Sequence, residues 1–121
     1  MKKLTTVLIA AGLLASATAC SAQQQLTTAE TCDRLGVAAA GIPSNVSPTA
    51  MTRVANAVRP IEPIASAEMK PVVTAILEFL DEQSKEEPTD AAKKSEREAK
   101  LAELGAAYQE AGTKYGELCR G

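Results

Sequence analysis

From Leu101 onward, apolar residues recur at spacings that alternate between three and four: Leu101, Leu104, Tyr108, Ala111, Tyr115 and Leu118. That is a heptad seam, the single stripe of a long helix, and it predicts a helix over 89–119. A stripe of this kind must be covered by something. The rest of the chain offers three more helical patterns and no convincing strand alternation, so the expected fold class is all-α, a small bundle of three to four helices.

The other helices announce themselves by their ends. Thr27 with Glu30 three residues on forms a capping box, and Gly41 before Pro43 stops the first helix, predicted at 28–40. Ser47 followed by Pro48 opens the second, at 48–58, where Met51, Val54, Ala55 and Val58 share one face. Pro60 ends it, and Pro60-Ile61-Glu62-Pro63 reads as an extended linker. Ser66 precedes a third helix at 67–84, with Met69, Val73, Ile76, Leu77 and Leu80 on one side and Pro71 as a potential kink. In the fourth helix Lys94 and Arg97 fall on the seam's own stripe, so residues 90–100 read as solvated. There Glu96 to Lys100, and later Glu110 to Lys114, have the spacing of favourable i,i+4 pairs.

The chain opens with Lys2 and Lys3, an apolar run from Leu4 to Leu14, and the small residues Ala15-Ser16-Ala17-Thr18-Ala19 before Cys20. This is the order of a secretory signal peptide, and it is short for a lasting membrane span. Ala17-Thr18-Ala19 fits an ordinary signal-peptidase site. The same residues with Cys20 resemble the lipobox of bacterial lipoproteins, with Ala17 standing where that pattern usually has leucine. The resemblance covers residues 1–20 only. It implies that Cys20 takes a diacylglyceryl group and that cleavage falls just before it. The expected organisation is then a signal peptide at 1–19, a lipidated N-terminus with a polar tether at 20–27, and a helical domain at 28–121. The expected location is the extracytoplasmic face of the cell membrane, held there through lipid on Cys20. The other cut would release a freely secreted protein with Cys20 open to intermolecular disulfides.

Three cysteines are present. Assigning Cys20 to lipid leaves Cys32 and Cys119, at the start of the first helix and the end of the fourth, to pair in an oxidising envelope. Their neighbours agree. Ala29, Cys32, Gly36 and Ala39 form a stripe of small residues, and Gly105, Gly112 and Cys119 flank the seam. Laid antiparallel, Gly36 would meet Tyr115 and Gly116, and Ala39 and Ala40 would meet Gly112. Close helix contact would justify glycines that cost about 1 kcal/mol each in a helix interior.

Composition narrows the chemistry. There is no histidine and no tryptophan, one phenylalanine and two tyrosines. Without histidine, no serine or cysteine triad of the usual kind is available, and zinc loses a principal ligand. Ser84-Lys85 and Lys94-Ser95 are adjacent helical positions that do not share a face. With Lys2 and Lys3 removed, 11 basic residues remain against 15 acidic ones, a net charge of −4. Nucleic-acid binding, which asks for a basic face, is not expected. Asp81, Glu82, Glu86, Glu87 and Asp90 crowd one turn, which reads as solvated; the rival is a carboxylate metal site. The apolar faces of the second and third helices read as core, with a groove for a lipid or small apolar ligand as the rival. No catalytic residue, metal ligand or cofactor is expected. The expected role is a non-enzymatic binding or interaction module whose protein or small-molecule partner the sequence does not name.

Overall fold

The structure is a computed structural model that describes residues 24–41, 44 and 47–120. Four α-helices follow in order: α1 (Thr28–Ala40), α2 (Pro48–Val58), α3 (Lys70–Gln83) and α4 (Ala91–Arg120), with a 3-10 turn at Glu62–Ile64. No strand occurs among the described residues. The all-α expectation holds, and α1 and α2 occupy the predicted spans.

Both capping-box bonds of α1 form. The Glu30 amide donates to Thr27 Oγ1 at 3.2 Å, and the Thr27 amide donates to Glu30 Oε2 at 2.9 Å. The Ser47 hydroxyl accepts from the Ala50 amide at 3.2 Å, with Pro48 in the first turn of α2. At the start of α4, Asp90 Oδ1 accepts from the Ala92 amide at 2.9 Å.

α4 starts two residues later and ends one later than the predicted 89–119, and two larger changes fall at prolines. α3 begins at Lys70 and not at 67, because Pro71 takes a first-turn position, where its missing N–H costs nothing. No kink is needed there. The amides of Met69 and Lys70 close a turn back onto the Ser66 carbonyl at 3.1 and 2.9 Å. The expected extended linker at 60–63 is also corrected. The chain winds into the 3-10 turn and buries Ile61 to 5% exposure. Burying that side chain favours a compact path over an extended one, and Pro63 suits the start of the turn. The Ile64 carbonyl then accepts from the Leu26 amide at 2.7 Å, and Gln25 Nε2 donates to the Ala65 carbonyl at 3.1 Å. These bonds pin the segment ahead of α1 to the body of the fold.

α3 is the organising helix, packed against both α2 and α4. Met69, Val73, Leu77 and Leu80 are buried along it, and Met51, Val54, Ala55 and Val58 meet them from α2. Leu35 and Ala38 close the core from α1. A buried polar clasp joins α1 to the turn before α3. Thr31 is fully enclosed, donates to the Thr27 carbonyl at 2.8 Å, and accepts from the Ser66 amide at 3.1 Å.

α4 departs from the heptad expectation. Its seam touches the body on one side only: Ala111 is buried, Leu101, Leu104, Tyr115 and Leu118 are half-buried, and Tyr108 is exposed. A seam can be fully enclosed only when partners flank both of its sides, and α4 lies across α3 with a shorter contact to α1. Residues 91–100 are solvated as expected, with one exception. Arg97 is half-buried, and its Nη2 donates to the carbonyls of Lys85 at 2.9 Å and Glu82 at 3.3 Å. It thereby ties α4 to the turn that follows α3, adding a second donor to the Glu82 carbonyl, which already accepts from the Lys85 amide at 3.3 Å. Lys100 does not pair with Glu96. It reaches Glu82 Oε2 instead, at 3.4 Å. Nor do Glu110 and Lys114 close an ion pair. An exposed helical pair is worth only about 0.2–0.5 kcal/mol, so a carboxylate on the facing helix outcompetes it.

Candidate ligand groove

The predicted disulfide is present. Cys32 and Cys119 are bonded with Cα atoms 5.6 Å apart, joining the first turns of α1 to the last turn of α4. Cys20 and the leader 1–19 lie outside the described residues.

The two helices tied by that bond frame a groove. Leu35, Gly36 and Ala39 form one wall from α1, and Tyr108, Gly112 and Tyr115 form the opposite wall from α4. Val54 and Val58 of α2, with Ile76 and Leu80 of α3, supply the apolar lining between them. These α2 and α3 residues are the apolar faces that read from sequence as core, with a groove as the rival. The structure gives both readings a share, since Val54, Val58 and Leu80 belong to the core and also line the groove. Each helix contributes by its own periodicity. Tyr108, Gly112 and Tyr115 sit at i, i+4, i+7 on one stripe, and Val54/Val58 and Ile76/Leu80 are i,i+4 neighbours.

The cavity measures about 390 Å³. Its one charged lining residue is Arg120. Among the described residues, no carboxylate forms an ion pair with that guanidinium. Tyr108 is held in place by stacking on Phe79, with ring centroids 4.6 Å apart. Sequence reasoning did not single out Tyr108, Tyr115 or Arg120 as site residues. The signal was there in part: the chain's only two tyrosines are seven positions apart with a glycine between them on the same helical stripe.

Small residues keep the groove open, but not by close helix approach. A side chain begun at Gly36 would meet Tyr115 Oη at 3.8 Å, an ordinary contact that bears out the predicted Gly36–Tyr115 neighbourhood. At Gly112 and Gly116 it would meet nothing within 4 Å. The close-contact explanation for those two glycines is therefore corrected: the helices are tied at Cys32–Cys119 and stand apart beyond it. Gly112→Ala and Gly116→Ala should each raise stability by about 0.5–1 kcal/mol, measured by urea denaturation, since alanine is the better helix former and has room. A loss of stability at either position would show a hidden steric role.

Two other hollows are less site-like. One of about 480 Å³ runs along α3 and the turn before it, with no second element to close it. Another of about 410 Å³, between α3 and α4, is ringed by Glu68, Glu110 and Lys114.

The acidic turn disperses. Asp81 binds Arg59 at 2.7 Å. Glu82 is buried and accepts from Lys85 at 2.8 Å. That hydrogen bond holds the Glu82 carboxyl below its ordinary range against the opposing pull of burial, and Lys100 adds to it. Among the described residues, no three His, Cys, Asp or Glu side chains converge as metal ligands would. The Ser84 hydroxyl donates to the Asp81 carbonyl at 2.7 Å, so Ser84 and Lys85 are engaged separately. No described helix is long and apolar enough to cross a membrane. Comparison with protein-family models, curated proteins and solved structures finds no match for this chain.

Proposed function

We propose that this chain is an exported cell-envelope lipoprotein, anchored by acyl chains on Cys20. Its helical domain would work as a non-enzymatic binding module at the extracytoplasmic membrane surface. The observation that carries this reading is the Cys32–Cys119 bond. Disulfides of this kind persist in oxidising compartments, which agrees with the leader at 1–19. The bond also accounts for two of three cysteines and leaves Cys20 for the lipid. The tether would be short. Gln25 is already bound to the Ala65 carbonyl, so the five covalent steps from Cys20 span at most roughly 17 Å. Such a domain works close to the bilayer.

Mass spectrometry of the mature N-terminal peptide from native membranes tests the anchor. A diacylglyceryl-sized increment on Cys20 is expected. An unmodified Cys20 in a soluble protein would overturn the anchor and support the freely secreted form cut after Ala19.

A further inference from the structure

We propose that the groove between α1 and α4 binds a single-chain anionic amphiphile of the fatty-acid class, with its tail along the apolar lining and its carboxylate at Arg120. This deepens the reading of the domain as a membrane-surface binding module and rests on it for the source of the ligand.

Size argues for a small molecule. A cavity of about 390 Å³ is at the lower end of the 300–1,000 Å³ usual for ligand sites. An α-helix, about 10 Å across with its side chains, would not enter it. At roughly 30 Å³ per water-sized group, the volume admits about a dozen, which is one medium alkyl chain and not two.

Chemistry argues for the amphiphile. Val54, Val58, Ile76 and Leu80 offer a tail no polar partner. Val54, Val58 and Leu80 form a nearly buried floor, and the apolar surface left to water is that of Ile76, Ala39 and the two tyrosine rings. A bound chain would recover about 25 cal/mol per Å² of it. Among the lining side chains, the polar groups are the two tyrosine hydroxyls and the Arg120 guanidinium. A guanidinium is a planar fork matched to a carboxylate. Position agrees as well. Arg120 follows Cys119, which is bonded to Cys32 in the first turns of α1, so it lies at the end of the domain from which the tether leaves. The charged end of the groove thus faces the anchored side.

The chain has no tryptophan, and both of its tyrosines line the groove, so intrinsic fluorescence reports occupancy directly. The test uses the exported full chain carrying Cys20→Ser, which cannot take a thioether-linked lipid. It therefore separates failure of the groove from failure of the anchor, which the mass measurement decides independently. Titration with dodecanoate should change tyrosine emission saturably and raise the melting temperature. Arg120→Gln should weaken dodecanoate by about tenfold while leaving uncharged dodecanol unchanged. Gly112→Leu, which places a side chain in space that is open in this structure, should abolish saturation by both while keeping its helical circular dichroism. Absence of saturable binding to the folded Cys20→Ser chain would overturn the proposal. So would Arg120→Gln binding dodecanoate as the parent does, or Gly112→Leu binding both probes unchanged. Tighter saturation by lysophosphatidylglycerol than by dodecanoate would overturn the fatty-acid assignment.

Discussion

Replacing Cys32 and Cys119 together by alanine should lower the melting temperature by on the order of 20–30 °C. The bond closes 87 residues of sequence. Loop-closure entropy for a ring of that size corresponds to about 4–5 kcal/mol withheld from the unfolded chain. One kcal/mol is worth about 4–8 °C in a domain of this length. Total stabilities of such domains are about 5–15 kcal/mol, so the bond is a large fraction of what holds this one together. The local contacts are too thin to replace it. Only Ala111 of α4 is buried, and around Cys119 the residues Tyr115 and Leu118 are half-buried. Alanine removes little volume at Cys32, which is 9% exposed, so the loss measures the cross-link more than a cavity. Thermal circular dichroism of the double variant, and of the parent under reductant, provides the check. A shift of only a few degrees would mean that α4 is held by its other contacts. The α1–α4 walls of the groove depend on the same bond, so reduction should also weaken dodecanoate binding before the helices melt.

What was legible in the sequence follows from how local each cause is. Capping at Thr27 and Ser47 uses residues within three positions of one another, and both helix starts were readable to the residue. Pairing of Cys32 with Cys119 was readable because the proposed lipidation of Cys20 set the third cysteine aside. Where a distant partner decides, sequence reasoning had little to work with. Arg97 looked like one charge among many, and its role depends on carbonyls in the last turn of α3 and just beyond it, 15 and 12 residues earlier in the chain. Thr31 looked like an ordinary helical threonine, yet its hydroxyl serves the amide of Ser66, 35 residues away. Lys100 turned from its local partner Glu96 to Glu82 for the same reason. The groove was half legible. Its aliphatic lining showed as helical faces, but its volume arises from the gap beyond the Cys32–Cys119 tie, which no periodicity encodes.

Met69→Ala should cost about 2–5 kcal/mol, read as a lower urea midpoint with an unchanged slope. Met69 is fully enclosed, and it occupies the turn that the sequence had placed inside the third helix. Its backbone is fixed from both directions. The amide is bonded to the Ser66 carbonyl, and the Met69 carbonyl accepts from the Val73 amide at 2.9 Å. The chain therefore has little freedom to collapse into the space that alanine would leave. The neighbouring core is built of small and medium side chains such as Ala55, Ala65, Val72 and Val73, which do not stretch to fill a void. Retained cavity volume is what makes such truncations expensive, so the upper half of the range is expected. Met69→Leu, close in volume, should cost less than about 1.5 kcal/mol. The groove takes its α3 lining from Ile76 and Leu80, further along the helix, so the folded fraction of Met69→Ala should bind dodecanoate as the parent does. A cost below about 1 kcal/mol would show that this turn yields. The Thr31–Ser66 clasp, and not the packing of Met69, would then be what positions the start of α3.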